Sequence, residues 1–229
     1  MKRQDQANPP EWDSIMAALG QWRRGLEQDG PDPAVGLVAE KYRRDPWAVL
    51  ASTILSLRTK DEVTLAASKA LLAAAPSPAA LLGLSEDALA RLIYPAGFYR
   101  TKASNLRKIA GLLLAQYEGA VPKTMEALLA LPGVGRKTAN LVLIEAFDQD
   151  GICVDTHVHR ISNRAGWVSA KSPEETEAGL RRLLPRVYWK GINALLVLYG
   201  QRVCRPLSPF CSQCAIHPHC ARQGVRRSR

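Results

Sequence analysis

Leu131-Pro132-Gly133-Val134-Gly135-Arg136-Lys137-Thr138-Ala139 lies between two apolar runs of helical period, residues 125–130 and 139–147. Two glycines flanking one apolar residue let the chain reverse tightly between helices, because glycine tolerates backbone angles that a Cβ forbids. The turn exposes N–H groups at the start of the second helix, where the helix dipole also favours an anion. A nucleic-acid phosphate suits that environment, so Gly133, Val134, Gly135 and Arg136 read as a grip on backbone and not as a reader of bases. A nucleotide-binding P-loop ending on Lys137-Thr138 needs glycine at positions 131 and 136, where Leu131 and Arg136 stand. A glycine-closed turn without any ligand is the plainer reading of the segment in isolation. Lys137 is by default a surface lysine. Beside other cations in a groove its ammonium form is disfavoured, and the neutral amine becomes a nucleophile.

The helical period continues outward. Trp47, Leu50, Ala51, Ile54 and Leu57 mark one apolar face, and Leu106, Ile109, Ala110, Leu113 and Tyr117 mark another, while period-two alternation is hard to find. Breakers at Pro76 and Pro78, Pro95-Ala96-Gly97, residues 119–122, Pro132-Gly133, Asp150-Gly151, Pro173, Pro185, Pro206 and Pro209 cut the pattern into about nine or ten short helices. An all-α protein follows. Residues 66–92, rich in Ala and Leu without sustained heptads, read as core helix, and residues 222–229 as a frayed basic tail. A chain of 229 residues with 47% hydrophobic content suits one large domain or two small ones. A net charge of +10 and a pI near 9.6 point to a polyanionic partner, although a merely solvated basic surface gives the same totals. With no apolar signal region near Met1 and no stretch of eighteen apolar residues, a cytoplasmic location is expected.

Cys204, Cys211, Cys214 and Cys220 are spaced C-x6-C-x2-C-x5-C in a segment poor in apolar residues. So short an excursion cannot bury enough surface to hold its own shape, and a metal centre supplies the missing core. Structural zinc usually takes two C-x2-C knuckles, so one pair flanked by lone cysteines suits iron and sulfur better. A zinc site with His217 or His219 as substitute ligand, or a disulfide pair, are the competing readings of the spacing. Cys153 reads as a small buried filler. Just beyond it, Asp155 precedes a helical run at 156–165 and is by default an N-cap. Capping and catalysis are compatible, since a carboxylate held by N–H donors is fixed, ionised and able to stabilise positive charge or steer a proton.

Residues 131–140, 154–157 and the cysteine loop, in this order and spacing, resemble the endonuclease III family, helix–hairpin–helix DNA glycosylases that carry a [4Fe-4S] cluster. The resemblance runs through Leu55-Ser56-Leu57-Arg58-Thr59-Lys60-Asp61 and Gly97-Phe98-Tyr99-Arg100-Thr101-Lys102-Ala103 and covers residues 38–222. It implies a two-lobed all-α fold, with a helical barrel at 39–149 containing the helix–hairpin–helix (about 125–147), and a cluster domain of 1–38 plus 150–229. Damaged double-stranded DNA lies across the cleft of such a fold. The resemblance further implies that Lys137 attacks C1′ of a flipped nucleotide, that Asp155 is the essential aspartate, and that β-elimination then nicks the strand. The four cysteines would hold the [4Fe-4S] cluster and shape a basic loop in which Arg202 and Arg205 meet the DNA backbone. Ser56 and Asp61 are base-pocket candidates. The expected lesions are oxidised or ring-saturated pyrimidines, and the protein is expected to act as a monomer, in bacterial cytoplasm and on the nucleoid.

Two positions depart from the family pattern. Arg58 stands where the family commonly has glutamine, which enters the stack vacated by the damaged nucleotide. Phe98 stands at the position of an apolar wedge, often leucine, and is otherwise an ordinary core phenylalanine. The adenine mismatch branch lacks a lysine at the nucleophile position, so Lys137 argues against it. A DNA-binding relative with little catalysis is the other alternative.

Overall fold

The computed structural model describes residues 10–26 and 33–229; the expectations for residues 1–9 and 27–32 fall outside the described residues. Its helices are α1 (Trp12–Arg24), α2 (Ala34–Lys41), α3 (Pro46–Ser56), α4 (Asp61–Ala74), α5 (Pro78–Leu82), α6 (Glu86–Leu92), α7 (Tyr99–Tyr117), α8 (Met125–Leu129), α9 (Arg136–Phe147), α10 (Thr156–Ala165), α11 (Pro173–Leu183) and α12 (Trp189–Arg202). There is no strand among the described residues. These twelve exceed the nine or ten expected, because residues 66–92 are not one run but the end of α4 followed by two short helices. Both are started by serine: Ser77 accepts from the Ala80 N–H, and Ser85 from the Ala88 N–H. Five or seven residues are too few for a 3.6-residue period to register.

The chain divides into two units, Pro31–Gly151 and Ile152–Arg229 with Met1–Gly30. The first is built around α3, whose residues Trp47 to Leu55 are all buried, as befits a helix apolar on every side. Asp45 caps it, accepting the Ala48 N–H at 2.8 Å, and Pro46 opens it. Helices α2, α4, α7 and α9 surround it. Leu50, Leu55, Leu71, Leu106, Ile109 and Leu113 are fully buried in this core, and truncating any of them to Ala would cost about 2–5 kcal/mol. Val35 and Val38 pack here too, so residues 33–38, expected in the other domain, belong to this unit.

The second unit gathers Trp12, Ile15 and Leu19 of α1, Val158 and Ile161 of α10, and Ile192, Leu196 and Tyr199 of α12 into its own core. Trp12 and Trp167 tilt together with ring centroids 5.0 Å apart. The basic tail is not frayed as expected. Ala221 and Gln223 donate to the carbonyls of Ala165 and Arg164, Arg229 donates to Pro209 at 2.9 Å, and Ser212 donates to Arg229 at 3.0 Å. Backbone hydrogen bonds thus tie the tail to α10 and to the cysteine loop, a pairing that composition does not reveal.

Candidate functional site

The candidate residues fall into three groups, two in the first unit and one in the second. In the hairpin, Gly133 has φ +77°, and a Cβ there would press on the Asn105 amide of α7. Conformation therefore favours glycine, while the Asn105 amide is the end of a side chain that can turn aside. Gly135 is different. It is the N-cap of α9 at φ −94°, and a Cβ on it meets open space. It has no side chain with which to cap the first turn. Lys137 sits exposed on that turn, next to exposed Arg136. Val134 has its side chain buried in the core, and its N–H donates to the Leu131 carbonyl, so it anchors the turn from inside.

The second group lies just beyond the C-terminal end of α3. Arg58 and Phe98 both have left-handed backbone, φ 52° and 56°, which is uncommon for residues with side chains. Phe98 is 62% exposed, which rules out the core-phenylalanine reading, and the Arg58 guanidinium lies 5.5 Å from its ring centroid. The pair borders a recess lined also by Leu57, Thr101, Lys102 and Asn105. The two base-pocket candidates have local partners: Ser56 Oγ donates to the Thr53 carbonyl at 2.7 Å, and Asp61 Oδ1 accepts the Ala34 N–H at 3.5 Å. Lys102 was not anticipated. It is 5% exposed, and its Nζ donates to the carbonyls of Leu55 (2.7 Å) and Leu57 (2.6 Å) and to Thr59 Oγ1 (2.7 Å). Burial lowers its pKa to about 8. A single sequence offers no signal that separates such a lysine from a surface one.

In the second unit, Asp155 caps α10 as expected, one carboxylate oxygen accepting the N–H groups of His157 at 2.8 Å and Val158 at 2.9 Å. It is half-buried. Two arginines further along α10 hold the start of the cysteine loop. Arg160 donates to the carbonyls of Cys204 and Gly200, and Arg164 to those of Arg205 and Pro206, both at 2.6 Å. Their i, i+4 spacing is visible in the sequence, but the carbonyls they seek are not.

Cys204, Cys211, Cys214 and Cys220 line one small cavity with Arg164, Val203, Pro209 and Phe210. The Tyr199 hydroxyl donates to Cys214 Sγ at 3.2 Å, and Arg164 Nη1 to Cys204 Sγ at 3.6 Å. Burial pushes the Cys214 and Cys220 thiols up, and the neighbouring thiols of the loop add to it by repulsion between thiolates. Such a set is relieved by cationic iron or zinc. Among the described residues no three or more His, Cys, Asp or Glu stand together as a site for a metal ion. Arg205 and Arg229 flank the Phe210 ring at 5.1 and 5.2 Å, giving the loop a basic rim; Arg202 ends α12 just before it.

A family model described as HhH-GPD superfamily base excision DNA repair protein matches residues 51–186. An Endonuclease III of Thermotoga maritima is 48% identical over 176 residues, covering 77% of this chain and 83% of that protein. Endonuclease III homolog 2, chloroplastic, of Arabidopsis thaliana is 42% identical over 228 residues; the chain spans 58% of that longer relative. Among solved structures, a trapped Endonuclease III–DNA covalent intermediate, an estranged-adenine complex, superposes with a TM-score of 0.78 at 30% identity, covering 92% of this chain and 95% of that one.

Proposed function

Because the chain belongs to the HhH-GPD superfamily of base excision DNA repair proteins, we propose that it is a DNA glycosylase that also nicks abasic sites. Its substrates are oxidised or ring-saturated pyrimidines in duplex DNA. The observation that carries this reading is Lys137, an amine exposed on the first turn of α9 directly after the glycine hairpin. Exposed amides at a helix start take a phosphate, which delivers the strand to that turn. The Nζ of Lys137 attacks C1′ of the extruded nucleotide, the C1′–N bond breaks, and the base leaves with the electron pair and takes up a proton. The sugar ring opens to a protonated imine. Loss of a C2′ proton then expels the 3′ phosphate, and water hydrolyses the imine to free the lysine.

Asp155 supplies negative charge to this sequence. A carboxylate fixed by two N–H donors needs no reorganisation when positive charge develops on the sugar. Arg58 and Phe98 enter the duplex where the damaged nucleotide leaves, while Gly133, Gly135 and Arg136, with Arg202 and Arg205, take the backbone. Cys204, Cys211, Cys214 and Cys220 hold a [4Fe-4S] cluster, which when bound cross-links the loop and neutralises its thiolates. The protein acts as a monomer on duplex DNA in the bacterial cytoplasm, and its net charge of +10 favours that encounter.

The test is a panel of single-lesion duplexes offered to anaerobically purified protein whose metals have been counted. Thymine glycol and dihydrouracil should be excised with strand nicking, and about four irons should accompany each chain. A protein that binds the duplexes but releases no base would overturn the enzymatic reading, and stoichiometric zinc without iron would overturn the cluster.

A further inference from the structure

Lys102 is a buried cation whose three acceptors, the carbonyls of Leu55 and Leu57 and the hydroxyl of Thr59, carry no charge. Removing an ammonium from water without a counter-ion is unfavourable, and a side chain kept so is doing something that a neutral one does not. What it does is geometric. An ammonium has three donors, and all three are used here, on the last turn of α3 and the loop beyond it. Thr59 Oγ1 in turn accepts the Gly97 N–H at 3.0 Å, which joins this loop to the one that opens α7. Gly97 closes the joint, since a Cβ on it would run into the Arg58 carbonyl oxygen.

The two residues carried at the tips of these loops are Arg58 and Phe98, each in left-handed backbone, with the aromatic ring exposed and the guanidinium over it. Left-handed backbone is uncommon for residues with side chains, and an exposed phenylalanine gains nothing from burial. Lys102 and Phe98 also share the same recess, so the clamp and what it presents are in immediate contact with one surface.

We propose that Lys102 is a positioning residue for nucleotide extrusion, its ammonium locking the two loops so that Arg58 and Phe98 form a preset pair that enters the duplex as the lesion leaves. This rests on the glycosylase reading given above. It predicts a defect confined to the step that needs insertion. A bulged abasic nucleotide, which has no base opposite it and is already out of the stack, demands little of the pair, whereas a lesion in a fully paired duplex demands it entirely.

The experiment compares the cluster-loaded wild type with Lys102→Met on two substrates, a thymine glycol duplex and a duplex whose abasic nucleotide stands in a single-nucleotide bulge. A third reading is the fluorescence of 2-aminopurine placed opposite the lesion, which reports unstacking independently of chemistry. In Lys102→Met, excision from the paired duplex should fall by about tenfold to a hundredfold, the scale of a misplaced positioning group. The 2-aminopurine signal should fall with it, while nicking of the bulge stays near the wild-type rate. Gly97→Ala, which displaces the Arg58 carbonyl without touching the lysine, should reproduce the pattern, and it decides the matter if Lys102→Met does not fold. Wild-type excision and fluorescence in both variants, or an equal loss on both substrates, overturns the proposal. A wild-type protein inactive on every substrate would instead defeat the glycosylase reading itself.

Discussion

Asp155 and Lys102 are both held by the backbone, yet they respond to substitution in opposite ways. Asn caps a helix about as well as Asp, so Asp155→Asn should leave the melting temperature of the fold nearly unchanged. If the carboxylate also stabilises developing positive charge, base release should slow by about two to four orders of magnitude. Single-turnover excision alongside calorimetry separates the two roles, and an Asn variant of near-normal rate would reduce Asp155 to a cap. For Lys102, the folded pKa of about 8 lies below the 10.5 of a free lysine. Between those values the unfolded chain binds more protons, so this group's contribution to stability rises as pH rises from 8 towards 10.5. Its grip moves the other way, since the neutral amine has one donor fewer and no charge. From pH about 7.5 to about 9.5, wild type should therefore gain thermal stability relative to Lys102→Met while losing its advantage in 2-aminopurine unstacking. Parallel pH profiles for the two proteins would contradict this. The cap on α10 was legible in the sequence, because an aspartate before an apolar-periodic run has few other local uses. The lysine was not, because burial is decided by distant residues: Leu55 and Leu57 lie more than forty positions away.

At the scale of the helix–hairpin–helix, two glycines of one motif do different work. Gly133 needs its left-handed backbone, so Gly133→Ala should destabilise the first unit by about 1–3 kcal/mol in a denaturant titration. Gly135 is an extended N-cap facing open space, and Asp is a good residue there. Gly135→Asp should leave stability intact or slightly raised while weakening duplex affinity by about 1 kcal/mol, through a carboxylate set against a phosphate. Equal loss of stability in both variants would show the motif to be only a turn. The hairpin could be read from its glycines, but which of them has open space for a Cβ depends on Asn105 of α7, nearly thirty residues earlier. The burial of Val134 was illegible for the same reason, its neighbours in sequence being exposed and its neighbours in space being core. The short helices α5 and α6 escaped notice because capping residues define them better than any period does.

Across the whole chain, the all-α character and the motif order were readable, since helical period and three motifs in register are properties of the chain itself. The division into units was less so. Residues 33–38 join the first unit through Val35 and Val38, and the basic tail is pinned to α10 and the cysteine loop by backbone groups that every sequence possesses. What the two units together are held to do depends on one amine. The direct measurement is borohydride reduction of the protein mixed with a lesion duplex, followed by proteolysis and mass mapping of the cross-linked peptide. The account predicts a single covalent adduct whose modified residue is Lys137, and no adduct or strand nicking from a folded, DNA-binding Lys137→Gln protein. An adduct on another amine, or undiminished trapping by Lys137→Gln, would contradict it.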